Sequence, residues 1–276
     1  MRENCKVYNC KVYFSMFRIR FNHNLQYRAV VLGAILKGFL WAMMEVLGYL
    51  AIYRVGGDAL PMELSRTVSY VWAHESFIVL FSVVFGDGEI YSAIRSGEVV
   101  YDLARPVGLY GRWFSQSASN RLSFALVNCL PVLLLGALMP KPYGLTLPGS
   151  AGQMVLFLVS ALLAFGVTVA MAMLMYVSLF YFISQRGIRI MARVVVSFFS
   201  GGVVPLPFFP APLRRVAELL PFGSMQNMPL QIFCGNISGR EAFQGILLQV
   251  FWLWAMVSLG RSAMRRATGK VVSFGG

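Results

Sequence analysis

Charged residues are scarce in this sequence, and apolar residues are correspondingly abundant. Asp, Glu, Lys and Arg together make up 13% of the 276 residues, whereas hydrophobic residues make up 58% and the mean hydropathy is +0.66. Soluble globular domains carry about 25% charged residues, so this composition excludes an ordinary soluble domain. The sequence therefore predicts an integral membrane protein.

The sequence also has few of the side chains that catalytic and metal sites need. It contains four cysteines and two histidines, and neither His23 nor His74 has the companions of a catalytic triad. Asp87 and Glu89 stand close together, but with no third carboxylate or histidine nearby they suit the start of a helix better than a metal site. We therefore predict no catalysis, metal or cofactor for this chain itself, with an intramembrane enzyme as the disfavoured alternative.

A nucleotide-binding loop is missing as well. A P-loop has the pattern Gly-x4-Gly-Lys-Ser/Thr. The only Gly-Lys pair, Gly269 followed by Lys270, has neither the earlier glycine nor the hydroxyl. Any ATP hydrolysis linked to this protein must then come from a separate subunit.

The net charge of +13 raises the question of nucleic acid, and the distribution of the basic residues decides against it. Once the predicted spans are placed, most Lys and Arg fall on the side that holds both termini. The positive-inside rule puts that side in the cytoplasm. We interpret the basic excess as membrane topology and contact with lipid headgroups.

Six apolar stretches are interpreted as membrane spans, so the predicted fold class is an all-α integral membrane protein with its transmembrane domain at residues 27–260. An aromatic and basic arm, residues 1–26, precedes them as an amphipathic helix on the inner membrane surface or as a partly disordered tail, and a basic tail, residues 261–276, follows. Capping boxes are predicted for the fourth and sixth spans, at Ser150 with Gln153 and at Ser238 with Glu241. The six spans are residues 27–53, 65–85, 112–139, 150–182, 190–204 and 239–259.

Between the second and third spans lies the charged segment, residues 86–109. It holds four of the chain's eleven acidic residues, too many for a hydrocarbon layer about 30 Å thick. We predict a short helix with Asp87 as its cap, Glu89 at its positive end and Gly97 as its stop. A second short element and a turn at Pro106 follow.

Half of the chain's twelve prolines lie within residues 205–229. Because proline removes a backbone hydrogen bond, the fifth span must end early. The stretch is still apolar, so we expect broken backbone at membrane depth, covered by protein or lining a cavity. The six prolines are Pro205, Pro207, Pro210, Pro212, Pro221 and Pro229.

Several ionisable residues fall inside the predicted spans. Glu45, His74 and Glu75 are expected at similar depth on the first two spans. Either they form a cation-attracting patch on a translocation path, or they only fix helix packing through hydrogen bonds. Arg121 is expected to reach the inner interface, and pairing inside the bundle is the alternative.

Two motifs resemble the permease subunits of type-2 ATP-binding-cassette exporters, in the branch of the daunorubicin-resistance and viologen exporters. The family's pattern IRxGxxxxxLxRP after the second span falls here on Ile94, Arg95, Ser96, Gly97, Glu98, Tyr101, Asp102, Leu103, Arg105 and Pro106. Its run SGxxxPLxxFPxxL…LPF…P…G between the last two spans falls on Ser200, Gly201, Pro205, Leu206, Phe209, Pro210, Leu213, Leu220, Pro221, Phe222, Pro229 and Gly235.

The resemblance implies a function for each part of the chain. The charged segment, with Asp87 and Glu89 in addition to the first motif, would be a coupling helix that docks on a separate ABC ATPase carrying ATP and Mg. The arm would be an elbow helix, and residues 205–237 an outer re-entrant helical pair. A second permease would complete a path that exports a small molecule, drug, peptide or lipid-like substrate across the bacterial inner membrane. The resemblance favours a homologous chain as this partner, and a second copy of the same chain is the alternative.

Two other classes of protein are alternatives to an exporter permease. A stand-alone secondary transporter or channel predicts inverted repeats and helices broken at the midplane, and the sequence has no such repeat. A purely structural membrane scaffold would leave the charged segment without a use. Recovery of an ATPase with the purified chain would separate the three classes.

Overall fold

The computed structural model describes residues 12–21, 28–56, 60–83, 88–105, 107–181 and 185–269, and over these ranges the chain is helical with no β-strand. Helix α1 covers residues 12–21. The helices that follow are α2 (Arg28–Gly56), α3 (Leu64–Phe81), α4 (Gly88–Ser96), α5 (Val99–Leu103), α6 (Leu109–Leu138), α7 (Ala151–Ser178), α8 (Gln185–Phe199), α9 (Ala211–Leu219), α10 (Pro221–Met225), α11 (Asn227–Phe233) and α12 (Gly239–Thr268).

Four helices are long and apolar enough to cross a membrane, namely α2 from Leu32 onward, α6, α7 and α12. At about 1.5 Å per residue they measure roughly 37–45 Å, which exceeds the hydrocarbon thickness of about 30 Å. The helices at the predicted second and fifth spans, α3 and α8, are not among these four. Helix α3 carries several polar groups, and α8 has only 15 residues. The fold is thus an all-helical membrane protein, and the number of six spans stays a prediction.

Helix α3 tolerates its polar residues because the bundle encloses it. Every residue from Thr67 to Ser76 is buried, and the helix packs against α2 and α6. The Trp72 indole nitrogen donates to the Tyr143 carbonyl oxygen at 2.8 Å. Helix α6 approaches the same ring at Gly136, where an added Cβ would lie 2.7 Å from an indole carbon.

The buried apolar residues form two clusters at different levels of the bundle. The first surrounds Trp72 and joins α2, α3, α6, α7 and α11. The second surrounds Trp113 and Tyr176 and joins α4 and α5 to α6, α7 and α12. The second cluster therefore attaches the charged segment to the membrane helices.

Several helix ends differ from their predicted positions. Helix α3 ends at Phe81 rather than at residue 85, and α8 ends at Phe199 rather than at residue 204. Helix α7 ends at Ser178 rather than at residue 182. Helix α12 continues to Thr268 rather than ending at residue 259, because Met264 and Ala267 are buried in the second cluster and hold the last turns in place. Part of the predicted basic tail is thus a continuation of the last helix.

The proline-rich stretch folds as one 3₁₀ turn (Leu206–Phe208) and three short helices, more broken than the predicted helical pair. Pro212 and Pro221 lie in the first turns of α9 and α10, where no N–H is required. The side-chain nitrogen of Gln249 donates to the Ser224 carbonyl oxygen at 2.9 Å, and Gln249 lies about 15 Å along α12 from Gly239. The stretch therefore reaches back into the bundle.

Candidate functional site

One face of the charged segment is buried in the bundle. Ile90, Tyr91 and Val99 are buried members of the second cluster. The Tyr91 ring meets the Tyr176 ring edge-on, with centroids 5.2 Å apart. The guanidinium of Arg189 lies 4.4 Å above the Tyr91 ring. These contacts fasten α4 to α7 and to the beginning of α8.

Gly97 separates the two short helices of the segment. Helix α4 ends at Ser96, and Gly97 has φ +79°, in the left-handed region that L side chains disfavour. The prediction that Gly97 stops the first helix is confirmed. Helix α4 begins at Gly88, whereas the predicted cap Asp87 lies outside the described residues, as does Pro106.

Glu89 ties the segment to α1. Its carboxylate forms an ion pair with Arg20 at 2.5 Å and accepts a hydrogen bond from the Gln116 side chain at 3.2 Å. Helix α1 is also joined to α6, because the Ser119 hydroxyl donates to the Phe17 carbonyl oxygen at 2.8 Å. The described part of the amphipathic arm is thus a helix docked at this end of the bundle.

Asp102 also forms contacts with other residues of the same chain. One carboxylate oxygen forms an ion pair with Arg112 at 2.5 Å, and the other accepts from the Trp113 indole nitrogen at 3.1 Å. Both charged side chains are only 15% exposed. Asp102 therefore holds α5 against the beginning of α6.

The opposite side of the segment is open. Tyr101 is 74% exposed and Leu103 is 39% exposed, while Ile94 is half-buried. We call this side the exposed face, and it consists of Arg95, Glu98, Val100, Tyr101, Leu103 and Arg105. It combines apolar side chains with charges of both signs.

Arg121 is fully buried, so the expectation that it reaches the inner interface was wrong and the alternative, a partner inside the bundle, is correct. Its guanidinium donates to the carbonyl oxygens of Ser82 at 3.2 Å and Val83 at 2.8 Å. It also donates to the Ser117 hydroxyl one turn earlier on α6. A cation at the negative end of a helix is favourable, so Arg121 caps α3 just before the charged segment begins.

The three ionisable residues singled out on the first two spans have different surroundings. The Glu45 carboxylate accepts from the Trp41 indole nitrogen at 2.9 Å on α2 itself. Glu75 is buried, and its Oε1 has no hydrogen-bond partner among the described residues. His74 lies 3.6 Å from that oxygen and contacts the Gln226 side-chain amide through Nδ1.

A cleft of about 350 Å³ lies between α2, the end of α3, α8 and the chain before α11. We call it the polar cleft. Val83 and Gly202, which follow the ends of α3 and α8, also line it. Its polar lining residues are Lys37, His74, Ser82, Arg193, Ser197, Ser200 and Gln226.

The proline-rich motif residues stabilise this arrangement. The Phe209 ring lies tilted against the Phe198 ring with centroids 5.0 Å apart, and the Phe222 ring centroid lies 6.1 Å from that of Phe199, so both rings pack on the end of α8. Pro205, Pro221 and Pro229 are buried, whereas Pro210 is exposed at the start of α9.

Sequence reasoning missed the residues that join distant parts of the chain. The Tyr70 hydroxyl donates to the Gly201 carbonyl oxygen at 3.1 Å, and Gly201 has φ +80°. Gln226 reaches His74 from the proline-rich stretch. The prolines signal a break in the helix, but no local pattern tells which helix receives the broken chain.

In the part of the chain that the structure describes, no three His, Cys, Asp or Glu side chains come together. Cys129 and Cys234 are free thiols.

The family model described as ABC-2 family transporter protein matches residues 39–275, which include the exposed face, Arg121, the polar cleft except Lys37 and the proline-rich stretch. No curated protein matches the chain. Members of this family are the membrane component of an ABC transporter, and an ATP-binding partner subunit is implied. The chain therefore belongs to the ABC-2 family of transporter proteins, as a membrane-spanning permease.

Proposed function

We propose that this permease is the membrane half of an exporter and that the exposed face is where its ATPase subunit docks. The observation that carries the proposal is the two-sided character of the charged segment. Its inner side is fastened by Tyr91, Glu89 and Asp102, whereas Tyr101 projects outward with most of its surface free. Exposed aromatic residues beside arginine are typical of protein interfaces.

The buried contacts supply a route for mechanical coupling. When the ATPase closes on ATP and Mg and pushes the exposed face, the Tyr91 contacts carry the movement to α7 and α8. The hydrogen bonds of Arg121 to Ser82 and Val83 keep the C-terminal end of α3 joined to α6. Tilting these helices opens a path toward the opposite membrane face.

The path needs a second permease. Helix α2 leaves a row of large apolar side chains exposed along its length, namely Leu32, Leu36, Leu40, Met44 and Leu47. Lipid or a partner helix must cover this row. A homologous partner chain is favoured by the daunorubicin and viologen exporter resemblance, and a second copy of this chain is the alternative.

We place the charged segment and both termini in the cytoplasm of a bacterial cell and the proline-rich stretch on the outer side of the inner membrane. His74 lines the polar cleft and Glu75 adjoins it, so both lie beside the path, with Glu45 on the neighbouring helix. The exported substrate would be a small molecule, drug, peptide or lipid-like compound.

Affinity purification of the full chain from its native membrane tests the docking proposal. We expect a protein with a P-loop, identified by mass spectrometry, in stoichiometric amount and with Mg-dependent ATP hydrolysis. Tyr101→Asp should remove this ATPase, because a charge replaces the central aromatic contact of the exposed face. The thermal unfolding temperature should not change, since Tyr101 is exposed.

The matched control is Leu147→Asp, which also puts an acid in place of an exposed apolar side chain, in the connection between α6 and α7 at the far end of the bundle. Its ATPase recovery should equal that of the unaltered chain. Equal recovery with Tyr101→Asp, or transport by the chain without any ATPase, would contradict the proposal.

A further inference from the structure

Among the described residues that line the polar cleft there are two cations. Lys37 of α2 and Arg193 of α8 line it from two sides, and both side chains are exposed. No Asp or Glu is among the described residues that line it. Within the described ranges, neither cation has a carboxylate at ion-pair distance.

Lys37 and Arg193 both lie more than two helical turns from the start of their helices. Lys37 lies roughly 14 Å along α2 from Arg28, and Arg193 roughly 12 Å along α8 from Gln185. Charges at membrane depth are costly and usually face a water-filled path or an opposite charge. Glu75 interacts electrostatically with Lys37 and with Glu45, but it is buried behind the cleft and leaves the open side to the cations.

Neutral hydrogen-bond donors complete the lining. Ser197 and Ser200 line it from α8 and its end, and His74 and Gln226 line it from α3 and the proline-rich stretch. Apolar side chains flank each cation, with Leu36 and Leu40 beside Lys37 and Val194 beside Arg193, all of them exposed. The surface thus offers a cationic, hydrogen-bonding recess bordered by apolar side chains.

We propose that the polar cleft binds the anionic headgroup of an amphiphilic substrate, while the substrate's apolar chain lies on the exposed sides of α2 and α8. Phosphate, sulfate or carboxylate headgroups would accept from Arg193 in bidentate fashion and pair with Lys37. This names a substrate class for the proposed exporter and rests on that function. The negative charge of this substrate is opposite to that of a cationic substrate attracted by Glu45 and Glu75.

The cleft adjoins the part of the bundle that the ATPase would move. Ser82 and Val83 line it, and Arg121 holds the carbonyl oxygens of these same two residues. A displacement of the charged segment that shifts the end of α3 would therefore change the shape of the cleft. Headgroup release would follow from the same movement.

Binding can be measured on the full chain without its ATPase. The chain is placed in nanodiscs of phosphatidylcholine, and radiolabelled dodecyl phosphate is titrated, with empty nanodiscs subtracted. We expect saturable binding that weakens by at least about tenfold in Lys37→Gln with Arg193→Gln. The charge-conserving pair Lys37→Arg with Arg193→Lys should keep most of the affinity.

The matched control removes two positive charges elsewhere. Lys141→Gln with Arg240→Gln acts at the opposite end of the bundle and should leave the dodecyl phosphate affinity unchanged. An excess of inorganic phosphate should displace little of the probe, because it lacks the apolar chain. Equal displacement by inorganic phosphate would mean a site for free phosphate and would overturn the proposal.

Three further results would overturn it as well. One is the absence of saturable binding, the second is equal binding by the Lys37→Gln, Arg193→Gln variant, and the third is preferential binding of dodecyltrimethylammonium. Failure of ATPase recovery in the docking experiment would refute the exporter function but would leave the binding result standing. The two failures are therefore distinguishable.

Discussion

The Nη2 atom of Arg121 donates a hydrogen bond across 2.8 Å to the main-chain oxygen of Val83. Arg121 belongs to α6, whereas Val83 follows the end of α3. The bond therefore links two helices at the point where the chain leaves the bundle for the charged segment. Because the guanidinium is fully buried, the protein shields this side of the bond from solvent.

Replacing Arg121 by Met should destabilise the permease and uncouple it. The carbonyl oxygens of Ser82 and Val83 would lose their buried donor, at a cost of about 2–4 kcal/mol in free energy of unfolding. Unfolding in mixed detergent micelles measures this loss. Arg240→Met, at an exposed position in α12, should change stability by less than about 0.5 kcal/mol, and an equal loss in both variants would contradict the capping role.

Asp102→Ala should lower stability, whereas Glu98→Ala should not. Asp102 binds Arg112 and Trp113 in a partly buried site, so its removal should cost about 1–3 kcal/mol. Glu98 is exposed and has no ion pair among the described residues. Thermal unfolding of the two purified variants distinguishes the internal acid from the surface acid, and the same midpoint for both would disprove the distinction.

Gly136→Ala should disturb the packing of α3 on α6. The new methyl group would lie 2.7 Å from the Trp72 ring, and relief of such overlap in a packed core costs about 1–3 kcal/mol. Gly33→Ala on α2 is the control, because nothing lies within 4 Å of its added Cβ. The control should be neutral or stabilising by up to about 1 kcal/mol. Detergent unfolding of both variants tests the difference, which should vanish if α3 and α6 are not in contact.

Gly97→Val should strain the break between α4 and α5. A β-branched residue at φ +79° costs about 1–2 kcal/mol, and we expect faster amide hydrogen exchange over residues 88–103 together with reduced ATPase recovery. Gly97→Asn should be milder, since asparagine tolerates this conformation. Similar exchange rates in the two variants would show that φ at this position does not control the segment.

Local chemistry made several features of this protein predictable. Apolar composition and run length predict long membrane helices because burial in lipid depends on each segment's own hydropathy. Gly97 predicts a helix stop, and Ser150 with Gln153 predicts a helix start, because both act within a few residues; the Ser150 hydroxyl indeed accepts from the Gln153 amide at 3.1 Å. The same pattern at Ser238 predicts the start of α12 at Gly239 correctly, although Ser238 makes no side-chain cap bond in the structure.

Partners distant in sequence were not predictable. Arg121 was expected at the membrane surface, yet it lies inside the bundle because Ser82 and Val83 present bare carbonyl oxygens there. The motif predicts the same docking role for Asp102 and for Tyr101. Only the tertiary structure shows that Asp102 binds Arg112 and Trp113 inside the chain.

By itself, the sequence determined that the chain is a membrane protein, where it is helical, where the helices break and that it contains no P-loop pattern. The tertiary structure alone decided which side of the charged segment is free, which carbonyls Arg121 satisfies, and that Lys37 and Arg193 share one cleft with Gln226. The reason is physical: hydropathy and backbone preference belong to each segment separately. Burial, pairing and the shape of a cleft exist only once segments far apart in sequence have packed together.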